Sequence, residues 1–436
     1  MSDQRTIRAW CLYDWANSAF ACTVMAALYP PFFRSISESD GLAPAEATAR
    51  WGLVTAGALL LIALSGPLLG AIADLTGGKK RLLAGFMILG VAATGAFALL
   101  PDSDWVLAGS VFVLANLGFA GSIIFYEALL PHVAPPGQLD QISTRGFAWG
   151  YLGGGLLLVI NMLWVTMPER FGLAGTGAAV KLSFVSVAVW WALFSIPLLR
   201  WVPEPASPTR VQVGSLFSQS FGRLRRTWRD LSGYKPLLLL LVAYWVYNDG
   251  IGTIVKMATI YGGEIGIETH HMIQALVLTQ FIGVPCTILF GRLAGRYSAR
   301  AMLQLGLAIY ACICVLGFFM TTTWQFFLLA GLVGTVQGGC QALSRSLFGS
   351  MVPKHKSAEF FGFYSTSGKF AGIAGPLIFA VISQITGESR LSILALVVLF
   401  AVGGLLLSRV NLEEGQRQAR AVEARDGLQP GVDDES

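Results

Sequence analysis

The sequence predicts an all-α membrane protein, with twelve transmembrane helices arranged as two pseudo-symmetric six-helix halves. Of the 436 residues, 54% are hydrophobic and only 13% are charged, against about 25% charged residues in soluble globular domains. A water-soluble protein of this length has no core large enough for that much apolar side chain, and this composition excludes a disordered chain. Similar segments also recur at a nearly constant spacing, which indicates an internal duplication.

Twelve apolar stretches are long enough to cross a bilayer, because a spanning helix needs about 20 mostly apolar residues. They lie at 9–33, 51–73, 82–100, 105–131, 146–166, 179–199, 236–261, 270–291, 301–319, 324–350, 360–383 and 391–408. The first stretch carries Asp14 and is too long for a cleavable signal sequence, so we expect it to be a retained span.

Lysine and arginine residues are distributed unevenly between the two sides of the predicted bundle. With the N-terminus in the cytosol, 22 of the 30 lie in inner segments and four in outer loops. Since cytosolic loops are rich in these residues, both termini are predicted to face the cytosol from the cell (inner) membrane. The basic residues form no single patch, so the net charge of +5 does not indicate a nucleic-acid partner.

The span order predicts four regions along the chain. The first six-helix half is placed at 1–200, a cytosolic linker at 201–235, the second half at 236–410, and a mobile cytosolic tail at 411–436. Within the linker, residues 221–230 alternate apolar and basic side chains, as an amphipathic helix on the inner leaflet does.

The duplication is visible in two pairs of segments. Gly70–Arg81 follows the second span and corresponds to Gly291–Arg300 after the eighth, at an offset of 221; Leu129–Pro135 corresponds to Leu347–Pro353 at an offset of 218. Transporters are commonly built from such repeats, with the binding site between the halves.

The segment GAIADLTGGKKR (70–81) resembles the loop signature of the major facilitator superfamily, G-x-x-x-D-x-x-G-x-K/R-K/R. LYDWANSAF (12–20), YNDGIGTI (247–254), QGGCQALSRSLF (337–348) and AEFFGFYSTSGKFAGIAGPL (358–377) are similar to the vacuole-effluxer-like branch of that superfamily. Fungal members of the branch are associated with moving amino acids out of the vacuole. The resemblance implies the major facilitator fold and leaves the substrate open.

By the same resemblance, a charged cluster after the second span is expected to hold the halves together on the inside when the cavity opens outward. Its members are Asp74, Lys79, Lys80 and Arg81. Gly295 stands where the second half would have the corresponding Asp. The alternative is an ordinary positively charged inner loop.

Five ionisable residues lie within spans one, four, seven and ten, where each costs at least about 2.5–3.5 kcal/mol unless it faces a cavity or a partner. They are Asp14, Glu127, Asp249, Lys256 and Arg345. With neighbouring amides they give the predicted solute- and ion-binding set: Asp14, Asn17, Asn248, Asp249, Lys256, Gln337, Gln341 and Arg345. The alternatives are an interfacial Asp14, a snorkelling Lys256, and helix packing for the Gln337–Arg345 stripe.

The offset of 218 relates Glu127 on span four to Arg345 on span ten. Because the resembled fold brings these helices together on the cytosolic side, we predict that the two form a gate pair there. The competing interpretation gives Arg345 to the substrate, as an anchor for its carboxylate.

These patterns predict a secondary active transporter that moves a small polar solute, such as an amino acid, by alternating access coupled to protons through Asp249. The sequence contains no phosphate-binding loop motif, so ATP-driven transport by this chain is not expected. Neither a cofactor nor a metal site is expected. The alternative functions are a non-transporting receptor or scaffold and an intramembrane enzyme. An intramembrane enzyme needs paired catalytic groups at one depth, and the nearest pair, the adjacent His270 and His271, is expected to diverge around a helix. The expected partners are the solute, a proton and the lipid bilayer, with the chain a monomer.

Overall fold

The computed structural model describes residues 4–205, 234–370, 372, 374–386 and 389–425. Within these ranges the regular secondary structure is helical, and twelve helical stretches are long and apolar enough to cross a membrane. The predicted number of spans is therefore confirmed. The amphipathic helix predicted at 221–230 lies outside the described residues.

The spans of the first half run from span 1 to span 6. Their bounds are Gln4–Ser39, Pro44–Thr76, Lys79–Leu99, Trp105–Val133, Leu139–Thr166 and Thr176–Trp201. Span 1 is α-helical over Gln4–Ala19, π-helical over Phe20–Leu28 and α-helical again over Tyr29–Ser39.

In the second half, spans 7 to 10 are single helices, whereas spans 11 and 12 each consist of two. The single helices are Lys235–Glu264, Thr269–Arg296, Ala299–Phe318 and Thr323–Ser350. Span 11 comprises Ser357–Phe370 and Ala374–Thr386, and span 12 comprises Ser389–Ala395 and Val397–Ser408.

Both ends of the described chain lie on one side of the bundle, which we call the termini side. Near the start of span 1, the Arg5 guanidinium lies 4.2 Å from the ring centroid of Trp201 at the end of span 6. After span 12, a helix at Leu412–Arg425 packs beside the first turn of span 7, where Gly415 lies against Pro236.

The C-terminal helix differs from the prediction of a mobile tail at 411–436. Its apolar face explains the difference, because Gly415 and Ala419 are buried. Glu423 also accepts a 2.7 Å hydrogen bond from the backbone N–H of Lys354. Residues 412–425 therefore form a helix that packs against the second half, and 426–436 lie outside the described residues.

The two halves meet closely where span 2 crosses span 11, because glycine on both helices lets the backbones approach. A Cβ added to Gly362 would lie 2.6 Å from the carbonyl oxygen of Gly66. One added to Gly70 would overlap the carbonyl of Ala358. No larger residue fits there without moving the backbone, so this crossing fixes the position of the first turn of span 11.

Candidate functional site

The ionisable groups predicted within the spans form two clusters, one toward the termini side and one near the middle of span 7. In the first, Arg345 on span 10 is 1% exposed. Its Nη1 and Nη2 both lie 3.4 Å from Oδ2 of Asp14 on span 1. The same oxygen accepts a 2.7 Å hydrogen bond from the hydroxyl of Tyr126 on span 4. Arg345 thus connects its own half to two helices of the other half.

The Arg345 guanidinium also contacts aromatic rings on spans 1 and 5 and a serine on span 5. The ring centroids of Trp10 and Phe147 lie 4.9 and 4.3 Å from its central carbon. Its Nε donates to the Ser143 hydroxyl at 3.0 Å and its Nη2 to the Ser143 carbonyl at 2.9 Å. The Ser143 hydroxyl in turn donates to the carbonyl of Ala342 at 2.7 Å. Because a planar guanidinium suits stacking and several hydrogen bonds at once, the site is specific for arginine.

The partner of Arg345 differs from the one that the repeat predicts. Asp14 is the carboxylate within ion-pair distance, and among the described residues no ion pair joins Glu127 to Arg345. Glu127 is buried and lies within electrostatic range of Arg345 and of Lys369 on span 11. The physical reason is the helical turn of about 100° per residue: neighbouring residues of span 4 project in different directions, and it is Tyr126 that contacts the Asp14 carboxylate.

The cluster after span 2 divides into two parts. The φ of +62° at Gly77 turns the chain sharply after span 2, so that the Lys79 ammonium lies 3.0 Å from the Asp74 carboxylate. Asp74 also accepts hydrogen bonds from the backbone N–H groups of Ala358 at 3.3 Å and Glu359 at 2.8 Å, in the first turn of span 11. A carboxylate is favourable at that position because a helix N-terminus carries partial positive charge.

Lys79 also reaches the second half, whereas the hydrogen bonds of its two neighbours within the described part of the chain go to residues after span 6. Its ammonium donates to the Ser357 hydroxyl at 2.8 Å and to the Lys354 carbonyl at 3.2 Å. The Lys80 ammonium donates to the Val202 carbonyl at 2.8 Å, and the backbone N–H of Arg81 donates to Glu204, both just after the end of span 6. Of the four residues predicted to lock the halves, Asp74 and Lys79 thus make the contacts between them.

The second cluster is centred on Asp249, the fifteenth residue of the 30-residue helix of span 7. Asp249 is 2% exposed, and its Oδ2 accepts a 2.6 Å hydrogen bond from the backbone N–H of Gly375 on span 11. Two turns further along span 7, the Lys256 ammonium donates to the carbonyl of Gly372 at 3.5 Å. The acid and the base predicted on span 7 therefore both contact span 11.

The predicted amide-bearing residues occupy separate positions. Asn17 is buried, and its amide donates to the carbonyl of Tyr13 on the same helix at 2.8 Å. Asn248, Gln337 and Gln341 are half-buried. The two glutamines lie on the same helix as Arg345 and extend its polar stripe toward the middle of the membrane.

Sequence reasoning missed Ser143, Tyr126 and Ser357, although each contacts a predicted site residue. Hydroxyl groups are common inside helices, where they usually bond to a carbonyl one turn earlier. Their pairing with Arg345 and Lys79 depends on helices that are distant in the chain. For Tyr126 the sequence offers only its place beside Glu127 in an apolar span, and it offers no local signal for Ser143 or Ser357.

A separate group of side chains able to ligate a metal lies at the start of span 8. Ligand atoms of Glu268, His270 and His271 lie within 4.8 Å of one another. The two histidine rings, expected to diverge, instead have centroids 3.8 Å apart. All three residues are exposed or half-exposed, so this group is distinct from the buried clusters.

Comparisons with known proteins agree with this architecture. The profile of a family described as "Vacuole effluxer Atg22 like" matches residues 2–420. An uncharacterized MFS-type transporter of Bacillus subtilis (strain 168), YxiO, is 39% identical over 406 residues, which cover 93% of this chain and 94% of that protein. Autophagy-related protein 22 of Saccharomyces cerevisiae (strain ATCC 204508 / S288c) is 24% identical over 417 residues, covering 83% and 76% of the two chains.

A solved structure extends the similarity to the fold. The structure of the major facilitator proton:xylose symporter XylE, bound to 6-bromo-6-deoxy-D-glucose, superposes with a TM-score of 0.71. The two sequences are 14% identical, and the match covers 96% of this chain and 98% of that chain. The predicted major facilitator fold is therefore confirmed.

Proposed function

The chain belongs to the vacuole effluxer Atg22-like family of major facilitator transporters, and on that premise we propose that it moves an amino acid across the membrane by proton-coupled alternating access. The observation that carries this proposal is the buried ion pair between Arg345 and Asp14, which joins the two halves. A pair of this kind is costly to bury and suits a contact that forms in one conformation and separates in the other.

We propose that the termini side faces the cytosol. The support for this orientation is the excess of Lys and Arg in the loops predicted on that side of the bundle, because cytosolic loops are rich in these residues. In this conformation Arg345 contacts Asp14 and Ser143, and Asp74 contacts the first turn of span 11. These contacts close the termini side, so the conformation corresponds to the outward-facing state of the cycle.

Transport requires that these contacts separate when the protein opens to the cytosol. Removing one partner from a buried ion pair costs about 3–5 kcal/mol, and a difference of about 5.5 kcal/mol inverts a two-state population from 1:99 to 99:1. The binding energy of the solute must therefore compensate for separating Arg345 from Asp14.

The proposal of an amino acid rests on the composition of the site and on the resemblance to the fungal effluxers. The two clusters provide carboxylates, cations and amides within one bundle: Asp14, Asp249, Lys256, Arg345, Gln337 and Gln341. A zwitterion needs a protein carboxylate to bind its ammonium group and a protein cation to bind its carboxylate. Asp249, buried near the middle of span 7, is the proposed proton carrier.

Counterflow in proteoliposomes tests the function. Purified protein is reconstituted, the vesicles are loaded with each of the twenty common L-amino acids or with D-xylose, and uptake of the matching labelled solute is followed. We expect uptake above that of empty liposomes for at least one amino acid, and loss of that uptake in Arg345→Gln. The matched control is Arg292→Gln, because Arg292 lies exposed at the end of span 8.

Two results would contradict the proposal. If no solute shows counterflow while the reconstituted protein stays folded, the alternative of a non-transporting receptor or scaffold is favoured. If only D-xylose is transported, the protein is a transporter of another solute class.

A further inference from the structure

Span 11 is interrupted near the middle of the membrane, between the helices Ser357–Phe370 and Ala374–Thr386. Pro376 lies in the first turn of the second helix. Because proline has no backbone N–H, the carbonyl of Gly372 has no intrahelical donor four residues later. The Gly372 carbonyl, and the N–H groups in the first turn of helix Ala374–Thr386, therefore have no partner within their own helix.

Span 7 places one charged side chain at each side of this interruption. The Lys256 ammonium donates to the Gly372 carbonyl at 3.5 Å, and the Asp249 carboxylate accepts from the Gly375 N–H at 2.6 Å. A cation thus meets a carbonyl oxygen, and an anion meets the positive end of a helix. The acid and the base lie seven residues apart on span 7, so they share one face.

Glycine makes both approaches possible. A Cβ added to Gly372 would lie 2.6 Å from the Lys256 ammonium nitrogen. One added to Gly375 would overlap the hydroxyl of Thr253 and lie 3.1 Å from the Asp249 carbonyl oxygen. Spans 7 and 11 therefore pack too closely for a side chain at Gly372 or Gly375, on either side of the interruption.

The Asp249 carboxylate is only half satisfied. Oδ2 accepts a hydrogen bond from Gly375, and the backbone N–H of Ala374 also interacts with the carboxylate, whereas Oδ1 is buried and makes no hydrogen bond of good geometry among the described residues. A buried carboxylate oxygen without a donor is costly. That cost falls when the carboxyl group binds a proton, because a neutral group is less costly to bury than a charged one, and it is removed when the carboxylate leaves the position.

The charges around the interruption balance. Lys256 lies within electrostatic range of Asp249, and Lys369, in the last turn of the first helix of span 11, lies within range of Lys256 and of Glu127 on span 4. Two cations thus face two carboxylates. Spans 8 and 12 bring no charged side chain to this depth, and Arg345 on span 10 is engaged by Asp14.

We propose that the N-terminus of helix Ala374–Thr386 is the binding site for a carboxylate of the transported solute, and that Asp249 occupies it until Asp249 is protonated. This inference rests on the proposed transport function. Protonated Asp249 is a weaker acceptor for the Gly375 N–H than the carboxylate is. Protonation also leaves the four-charge group with one excess positive charge, which a solute carboxylate neutralises.

The stoichiometry follows from this exchange. Each solute carboxylate enters with one proton on Asp249, and both are released on the other side, where Asp249 returns to the Gly375 N–H as a carboxylate. For a zwitterionic amino acid the transported complex carries one net positive charge. For an acid without an ammonium group it carries none.

Competition for counterflow tests this assignment, with the labelled amino acids as solutes and their α-amides as competitors. An α-amide keeps the ammonium group and the side chain but has no carboxylate. We expect the unlabelled acid to inhibit uptake and the matching amide to inhibit at least about tenfold more weakly, the effect of losing a charge-assisted hydrogen bond. We also expect the half-saturating concentration of the acid to rise with pH in the wild-type protein.

Variants separate the carboxylate exchange from a merely structural role of Asp249. Asp249→Asn keeps an acceptor for the Gly375 N–H, and its half-saturating concentration is expected to lose the pH dependence, which Asp249→Glu is expected to restore. Lys256→Gln is expected to raise the half-saturating concentration of the acid, and Lys181→Gln serves as the control. Lys181 lies on span 6 and bonds to Asp102 and to the Leu100 carbonyl, on the side opposite the termini.

The two proposals fail in different ways. If the amides inhibit as strongly as the acids, or if Asp249→Asn keeps the wild-type pH profile, the carboxylate site is overturned and the transport function stands. If no amino acid shows counterflow at any pH, the proposed function is overturned and this inference with it.

Discussion

The guanidinium of Arg345 on span 10 lies 3.4 Å from the carboxylate of Asp14 on span 1, across the boundary between the two halves. Both side chains are buried, and Tyr126 on span 4 donates to the same carboxylate oxygen. One interaction therefore involves three of the four helices in which the sequence places ionisable residues. Because it lies toward the termini side, it is the contact that must break in the alternating-access cycle proposed above.

The first prediction concerns this pair. Asp14→Asn and Arg345→Gln should each destabilise the protein, because each leaves a buried charge without its partner, at a cost of about 3–5 kcal/mol. The double variant should be less destabilised than the sum of the two, by 1 kcal/mol or more. Thermal unfolding of the four proteins in detergent measures this coupling energy.

Glu127→Gln supplies the matched control for that cycle. Glu127 is as buried as Asp14 but makes no ion pair with Arg345 among the described residues. If the coupling energy between Glu127→Gln and Arg345→Gln is larger than that between Asp14→Asn and Arg345→Gln, the data would favour Glu127 as the partner of Arg345, as the repeat predicts.

The second prediction concerns the contact between Asp74 and the first turn of span 11. Asp74→Ala removes the acceptor for the N–H groups of Ala358 and Glu359 and the partner of Lys79. The variant should populate the conformation open on the termini side, so a cysteine at Gln341 should become more reactive toward a reagent added from that side. Arg81→Ala should leave the reactivity unchanged, because the Arg81 side chain is exposed. Equal reactivity in Asp74→Ala and the parent protein would show that this cluster does not hold the halves together.

Much of the site was predictable because a charge within a membrane span is conspicuous in a sequence. Asp14, Asp249 and Arg345 were found in this way, and the structure brings Arg345 to Asp14. The choice of Asp14 over Glu127 was not predictable from the repeat, because an offset relates equivalent positions but does not give the direction in which each helix turns its side chains.

The interruption of span 11 shows the same limit. The segment AGIAGP at 371–376 contains the glycines and the proline that disfavour a continuous helix. Nothing local in the sequence, however, indicates that the two sides of the interruption meet Asp249 and Lys256 on span 7. That contact depends on how the helices of the second half pack, which is set by many apolar side chains together.

The third prediction is that Asp249 couples transport to protons. Asp249→Asn should abolish accumulation of the solute driven by a pH gradient, because asparagine cannot carry a proton. Exchange of solute across the membrane should persist, since exchange needs no net proton movement. Uptake into proteoliposomes with an imposed pH gradient, compared with counterflow at equal pH, separates the two activities. Undiminished accumulation by the variant would remove Asp249 from the coupling mechanism.

The fourth prediction concerns orientation. Because 22 Lys and Arg residues lie on one predicted side and four on the other, reporters fused at Ser207 and at the C-terminus should both report the cytosol. With the native cysteines replaced, single cysteines at Ser39 and Gly266, both exposed, should react with an impermeant reagent added to intact cells. An external reporter at Ser207 would exclude two halves of six spans each.

The most direct test of alternating access is the distance between the halves, measured by electron spin resonance with paired spin labels. Labels at Gln141 and Gly295 lie across the boundary on the termini side, where a Cβ on Gly295 would be 3.5 Å from the Gln141 amide nitrogen; labels at Ser39 and Gly266 probe the opposite side. On adding a transported solute, the Gln141–Gly295 distance should lengthen in a fraction of molecules, and the Ser39–Gly266 distance should shorten in the same fraction. Two distances that stay constant, or that lengthen together, would contradict the account.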